Sequence, residues 1–296
     1  MSLVFLLLPD FSLILLGLLL FRFARWEPAF WAGLEKLVYF VLFPCLLFYS
    51  SANAPLDFAS TGTLLEVALT VCVAGIALGW LAKALFRPGP MLFESGVQTA
   101  FRFNSYIALA LSSRLAGPTG TALMALMIGF AVPLCNVAAV HALVHRNGNL
   151  LRELLRNPLL IAALLGVVCN LLGLKIPEFA GVTLQRLGNG SIALGLITVG
   201  AGMRLSGLHE GKAMAAYFIA VKLMALPALA WLIGAHVGLS HLHLQMVVLF
   251  AGLPTASSAY LLASRLGGNG PFVAFLISVG TGLSVVTLPG WLGVLG

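Results

Sequence analysis

Long apolar stretches separated by short polar connections run along the whole chain. Each stretch is close to the roughly 20 residues that a helix needs to cross a hydrocarbon core of about 30 Å. Little sequence is left between them for an extramembrane domain. The pattern therefore predicts an all-α integral membrane protein with about ten transmembrane helices. The predicted spans cover 3–21, 32–51, 62–82, 97–116, 119–143, 157–174, 188–205, 213–236, 246–265 and 272–295.

Composition supports the membrane interpretation. Of 296 residues, 60% are hydrophobic and 8% are charged, whereas soluble domains carry about 25% charged residues. The net charge of +7 comes from Lys and Arg residues scattered singly between apolar runs. Because they form no basic face, a nucleic-acid partner is not expected.

The basic residues also predict the orientation. With the N-terminus placed outside, the cytoplasmic connections collect most of the Lys and Arg residues, and Arg114, Lys175 and Arg186 fall outside. This positive-inside bias predicts a multi-pass protein of the cell (inner) membrane with external N- and C-termini. Arg102 and Lys222 count for neither side because they lie within predicted spans.

Metal, cofactor and enzyme chemistry are not indicated. His141 and His145 are spaced i, i+4, but they border a basic connection, which disfavours a metal site. No nucleophile–base arrangement or phosphate loop occurs, so an enzyme is disfavoured. Cysteines inside apolar runs behave as small hydrophobes rather than as a disulfide framework. These are Cys45, Cys72, Cys135 and Cys169.

An internal repeat appears when the sequence is shifted by about 150 residues. Five spans in each half is an odd number, so the second half must enter the membrane with opposite polarity. The repeat therefore predicts two inverted five-helix halves, 1–150 and 151–296, an arrangement typical of secondary transporters. Matched pairs include Pro9 with Pro158, Trp80 with Trp231, and Arg114 with Arg265.

Spans four and nine are the least helix-like. Span nine contains Gly252–Ser258, where Pro254 lacks an N–H and is predicted to break the helix. Span four contains Arg102–Ser105 at the equivalent depth. A broken span leaves a half-helix N-terminus with unpaired N–H groups near the membrane centre, which favours a carboxylate.

Neutral side chains at these breaks can donate hydrogen bonds to such an anion. The alternative is that small hydroxyl residues only let two helices approach closely and bond across the contact. The candidates are Asn104, Ser105, Thr255, Ser257 and Ser258.

Ionisable residues inside spans are functional candidates because they are costly in a bilayer. Glu66 can carry a coupling proton or be a solvated helix cap, and Lys222 can pair with an acid or snorkel. Asp10 follows a proline and can simply cap the rest of span one. Arg102 can reach the same ligand as Asn104 if the helix unwinds, or snorkel to the cytoplasm.

Several segments spread over nearly the whole chain carry a family resemblance. They are Tyr39–Phe48 with its Pro44, Phe101–Leu109, Asn157-Pro158, Gly200–Met203, Gly252–Arg265 and Thr287–Pro289. Together they resemble the auxin efflux carrier family, whose bacterial members include carriers proposed for malonate, malate and related organic acids.

The resemblance implies a scaffold of spans one, two, six and seven, and a mobile unit of spans three to five and eight to ten in which broken spans four and nine cross. Asn104 matches the family's anion-contacting Asn, and Pro254 matches its crossover Pro. Glu66 matches an acidic support residue, although Thr70 replaces the basic residue one turn later. Phe103 stands where many members have Pro, which predicts a less sharp first break.

The sequence thus predicts a secondary active transporter that moves a small mono- or dicarboxylate, such as malonate or malate, by elevator-type alternating access. Coupling to a proton or to the membrane potential is preferred, with sodium as the other option. Homodimerisation through the scaffold is one option for assembly. The alternatives are a sodium-coupled bile-acid-type or sodium/proton carrier of related fold, and a membrane receptor or structural module that does not transport.

Overall fold

A computed structural model describes residues 3–24, 26–53, 58–144, 158–203, 210–256 and 258–295. The described residues are mainly helical and form no strands. Several helical stretches are long and apolar enough to cross a bilayer, which confirms an all-α membrane protein. Five such stretches are Pro28–Asn53, Thr61–Phe86, Pro90–Leu143, Lys212–His236 and Gly270–Val294, and Ile161–Leu171 and His241–Gly252 are shorter apolar helices.

The helices follow one another with short connections. In chain order they are α1 (Leu3–Leu19), α2 (Pro28–Leu37), α3 (Phe43–Asn53), α4 (Phe58–Phe86), α5 (Pro90–Gly96), α6 (Ser105–Val144), α7 (Pro158–Leu171), α8 (Glu178–Ala201), α9 (Lys212–Ala220), α10 (Leu226–His236), α11 (His241–Gly252), α12 (Ser258–Arg265) and α13 (Gly270–Val294). Wider π-helical turns at Leu20–Ala24, Val38–Leu42 and Val221–Ala225 and a 3₁₀ turn at Val97–Ala100 continue some of them.

Helix α6 is kinked where the sequence predicts the boundary between spans four and five. Ala116 and Gly117 leave helical geometry, and Gly117 has a φ of 54°, a conformation that glycine adopts without steric cost. Helix α8 differs from prediction, because it begins at Glu178 instead of 188. Pro177 precedes it and an acidic first turn suits the positive end of the helix dipole, so polar residues ahead of the apolar run join the helix.

Two π-helical turns lie just ahead of prolines. Pro227 cannot donate a hydrogen bond to the carbonyl of Leu223 four residues earlier, and the turn Val221–Ala225 widens there. The indole Nε1 of Trp291 donates to that carbonyl oxygen at 2.9 Å. A distant side chain thus replaces the backbone donor that proline removes.

The chain divides into two compact units. Unit 1 comprises Met1–Thr61, Tyr106–Phe130 and Arg152–Gly202, and unit 2 comprises Gly62–Ser105, Ala131–Leu151 and Met203–Gly296. Both sequence halves contribute to each unit. Predicted spans one, two, six and seven lie in unit 1 together with 106–130. The repeat boundaries, the ten-helix inverted arrangement and the scaffold assignment stay predictions.

Glycines let the helices of unit 1 approach closely. A Cβ atom on Gly17 of α1 would overlap the carbonyl oxygen of Ile197 of α8, and one on Gly200 would overlap the carbonyl oxygen of Ile14. The segment Gly200–Met203 also carries part of the family resemblance. Close packing explains why the first residue of this segment, Gly200, is a glycine, because only a residue without a side chain fits there.

Candidate functional site

Two helix interruptions meet inside unit 2. Residues 101–104 are not helical and separate the 3₁₀ turn Val97–Ala100 from α6, and residues 253–256 are not helical and separate α11 from α12. The backbone N–H of Asn104 donates to the carbonyl oxygen of Pro254 at 2.8 Å. The structure therefore brings Asn104 and Pro254 together.

The second interruption follows from local chemistry. Pro254 has no N–H, and a residue before proline is driven out of the helical region. Leu253 accordingly has φ −59° and ψ 139°, which is extended backbone. Helix α11 ends one residue earlier, at Gly252.

The first interruption forms without a proline. Phe103 is buried, and its ring centroid lies 4.6 Å from that of Phe250. The N–H groups of Phe101 and Arg102 both donate to the carbonyl of Gln98, and the next N–H bond, from Asn104, goes to Pro254 instead of to the preceding turn. The less sharp break expected at Phe103 is instead a full four-residue departure from helix, and the contact with Phe250 is the tertiary contact at this place.

Polar side chains of the two interruptions are tied together. The Arg102 side chain is 8% exposed, and its Nη2 donates to the hydroxyl of Ser258 at 2.9 Å. The hydroxyl of Thr255 donates to the carbonyl of Thr99 at 2.8 Å. Arg102 and Asn104 are both buried on the non-helical segment 101–104, and this is the unwinding that a shared ligand requires.

Lys222 lies in unit 2, in the π-helical turn Val221–Ala225, and is 3% exposed. Its Nζ donates to the carbonyl oxygen of Ala251 at 2.6 Å. Neither an acidic partner nor snorkelling, the two expectations from sequence, describes this contact. The ammonium reaches the end of α11 because the carbonyls of a helix's last turn have no partner within the helix.

A small cavity of about 10 Å³ adjoins the second interruption. That volume is close to the minimum for one water molecule, so this conformation has no room for a carboxylate beside Lys222. The cavity is lined by Thr99, Phe218, Ile219, Lys222, Leu223, Pro254, Thr255, Leu276 and Gly280.

The remaining candidates differ in burial and in hydrogen-bond partner. Glu66 is exposed on α4, and its carbonyl accepts a hydrogen bond from Thr70 at 2.8 Å. Asp10 belongs to unit 1, where its carboxylate forms a two-point ion pair with Arg114 at 2.7 and 3.1 Å. Ser105 is half-buried at the first residue of α6. Ser257 lies outside the described residues.

The charged side chains buried in unit 2 are cations. Arg102 and Lys222 are both buried, whereas Glu66, Glu94 and Glu210, the acidic residues of this unit, are exposed or only partly buried. Burying a charge is costly unless an opposite charge or hydrogen bonds compensate it. The charge of this region therefore suits an anion.

Comparison with known proteins identifies the family. Residues 140–292, more than half of the chain, match the family model described as "Membrane transport protein". The chain belongs to this family. The resemblance to the auxin efflux carrier family is thereby confirmed.

Relatives of this membrane transport protein extend over nearly its whole length. A protein of Methanothermobacter thermautotrophicus named "Uncharacterized transporter" is 25% identical over 274 residues, covering 87% of each chain. The "Uncharacterized transporter YfdV" of Escherichia coli K12 is 27% identical over 302 residues, covering 97% of this chain and 95% of the relative. A YfdV of Shigella flexneri matches equally well.

Sequence reasoning missed two residues of this transporter's candidate site. Gln98 is fully buried and its Nε2 donates to the carbonyls of Ser95 and Ala259, and Thr99 accepts the hydrogen bond from Thr255. A polar pair just ahead of Arg102 in an apolar span was the available signal. The signal is weak because neither side chain carries a charge.

Proposed function

We propose that this membrane transport protein is a secondary active carrier of a small organic anion, a mono- or dicarboxylate such as malonate or malate. It works by elevator-type alternating access, and a proton gradient or the membrane potential drives it. The proposal includes ten helices in two inverted halves, with both termini external in the inner membrane. It also includes a homodimer formed through the scaffold.

The observation that carries the proposal is the charge of the paired helix interruptions. Two non-helical segments joined by the Asn104–Pro254 hydrogen bond lie in a unit whose buried charged side chains, Arg102 and Lys222, are cations. Irregular backbone within a membrane is tolerated where it lines a cavity or is buried in protein, and carriers use such segments to bind substrate. Cationic surroundings favour an anionic substrate.

The same observation argues against the cation-carrier alternatives. A sodium-coupled bile-acid-type or sodium/proton carrier is expected to place acidic side chains at the crossover. No Asp or Glu among the residues described for unit 2 is buried. A receptor that does not transport would explain a binding site but gives no reason for two matched sequence halves.

The cavity of about 10 Å³ fits a carrier caught with its site closed. A carboxylate needs more room, so substrate entry requires the segments around residues 99 and 254 to separate. Asn104 is then in position to contact the anion, together with Arg102 and Ser258. Glu66 is the candidate proton carrier, since it lies within the apolar stretch Thr61–Phe86.

Uptake into liposomes tests the proposal. The reconstituted protein is given labelled malonate, malate and lactate under a proton gradient and under a membrane potential. Uptake of at least one of these anions above empty liposomes is expected. Absence of uptake of any organic acid under either gradient would contradict the proposal.

Asn104→Ala separates a carrier from the alternatives. Loss of a buried hydrogen-bonding side chain costs about 1–3 kcal/mol, so binding and uptake per folded molecule should both fall by roughly 10- to 100-fold. Asn53→Ala is the matched control, because Asn53 is exposed at the end of α3 and, among the described residues, its side chain bonds to the carbonyl of Tyr49 in its own helix. If Asn104→Ala only lowers the folded yield, Asn104 is structural.

A further inference from the structure

The ammonium of Lys222 lies where α11 stops. Its Nζ donates to the carbonyl of Ala251, one residue before the helix ends at Gly252. The last carbonyls of a helix lack intrahelical partners and carry the negative end of the helix dipole. A cation at this place is favoured by both effects.

Broken helices of secondary transporters commonly use such carbonyls to coordinate Na⁺ or a proton. Here a covalently attached cation makes the contact at 2.6 Å. The nearby cavity of about 10 Å³ has Lys222 in its wall and holds at most about one water. The Lys222 side chain therefore fills the space beside this carbonyl.

No carboxylate among the described residues forms an ion pair with Lys222. The thiols of Cys72 on α4 and Cys135 on α6 interact electrostatically with the ammonium, and Arg102 interacts with the Cys135 thiol. A backbone carbonyl and two thiols compensate a unit charge less well than a carboxylate does. When the Lys222 ammonium is charged, it therefore leaves a positive charge that an anion can balance.

The π-helical turn gives Lys222 its place. Wide turns of this kind are rare and recur at functional sites. Pro227 removes the N–H that would bond to Leu223, and Trp291 bonds to that carbonyl instead. The local widening is thus held by a specific side chain.

We propose that the Lys222 ammonium is a resident cation at the Ala251 carbonyl, at the end of α11. We call this place the carbonyl position, and in sodium-driven carriers a coupling Na⁺ occupies such a position. Transport then needs no Na⁺. The statement that transport needs no Na⁺ rests on the proposed function. The statement that Lys222 occupies the carbonyl position does not depend on the proposed function.

A thermal unfolding experiment tests the occupation directly, without any substrate. Wild type and Lys222→Ala are compared in NaCl and in choline chloride at equal ionic strength. Truncation vacates the position, so the variant should gain Na⁺-dependent stability, an upward shift in Tm of about 3 °C once Na⁺ is well above its Kd. Wild type should show no difference between the two salts.

A matched control lies on the same helical stretch. Lys212 is exposed at the start of α9, so Lys212→Ala should behave as wild type in both salts. If Lys222→Ala does not fold, Lys222→Met keeps the volume of the side-chain stem and is used with methylammonium, NH₄⁺ and Na⁺ as probes. A wild-type Tm that rises with Na⁺, or a vacated position that responds to none of these cations, overturns the inference.

Uptake then tests the consequence for transport. Wild-type uptake of the anion should be equal with and without Na⁺, and Lys222→Ala should lose at least tenfold in choline and recover severalfold with Na⁺ or NH₄⁺. Full uptake by Lys222→Ala in choline, or loss that no cation restores, contradicts the resident-cation role. Absent uptake by wild type in both salts counts against the proposed carrier function and leaves the unfolding result to decide the site.

Discussion

In unit 1 the buried carboxylate of Asp10 is met by the guanidinium of Arg114, whereas in unit 2 the buried ammonium of Lys222 bonds to a backbone carbonyl. The first charge is neutralised by a partner of opposite sign, and the second is only solvated by the protein. The Asp10 carboxylate is therefore neutralised without a bound ion. Unit 2 holds a positive charge that an anionic ligand can balance.

The helices of the two units also differ, because those of unit 1 pack closely and two of those in unit 2 are interrupted. In unit 1, Gly17 and Gly200 bring α1 and α8 into contact with little space between them. In unit 2, helices stop inside the unit at residues 101–104 and 253–256 and exchange hydrogen bonds across the gap. Close packing resists change, and interrupted helices offer polar backbone to a substrate. We expect mutations in unit 1 to affect stability and mutations in unit 2 to affect transport.

The largest expected effect is a packing change in unit 1. In Gly200→Ala the new methyl group meets the Ile14 carbonyl, and overpacking against backbone should lower the free energy of unfolding by about 3 kcal/mol. Gly190→Ala is the matched control on α8, because nothing lies within 4 Å of its added Cβ. Unfolding of both variants in mixed micelles gives the comparison. Equal stability of the two would contradict the close contact.

The ion pair of unit 1 should have the next largest effect. Asp10→Asn removes the charge at nearly constant shape and should lower stability by about 1–2 kcal/mol, less than a fully buried pair because Arg114 is 36% exposed. A double-mutant cycle with Arg114→Gln measures the coupling free energy. Uptake per folded molecule should stay at the wild-type level. A change in the number of protons moved per anion would instead place Asp10 among the residues that couple transport to the proton gradient.

A smaller effect is expected from the link between the interruptions in unit 2. Thr255→Val removes the hydroxyl that bonds to the Thr99 carbonyl, leaving a buried acceptor unsatisfied at a cost of about 1 kcal/mol. Anion affinity should fall roughly fivefold, measured by binding and uptake together. Thr255→Ser keeps the hydroxyl and serves as the control. Unchanged affinity in the valine variant would remove Thr255 from the site.

The smallest expected effect concerns the π-helical turn under Lys222. Trp291→Phe removes the Nε1 donor to the Leu223 carbonyl, and hydrogen bonds between membrane helices average about 0.6 kcal/mol. The free energy of unfolding should fall by about this amount. Uptake should also fall, because Lys222 is next to Leu223 in the same turn. Trp231→Phe is a control, since Trp231 is exposed on α10. A drop in stability without any change in uptake would separate the turn from the site.

Some features of this transporter follow from sequence because they are local. Pro254 predicts the interruption between α11 and α12, since a missing N–H acts within one turn. The kink at Gly117 also falls at the predicted boundary between spans four and five. The break at Phe103 does not follow from such a local rule, because no proline is present there and the Phe103 ring packs against Phe250, which is distant in sequence.

The sequence by itself determined the membrane class, the family and the places where the helices weaken, because hydrocarbon thickness and proline geometry act on neighbouring residues. Only the tertiary structure decided the partners of the charged groups. Arg114 lies 104 residues from Asp10, and Ala251 lies 29 residues from Lys222. No local pattern encodes such pairings, because they depend on which helices pack together and on which carbonyls a broken helix leaves open.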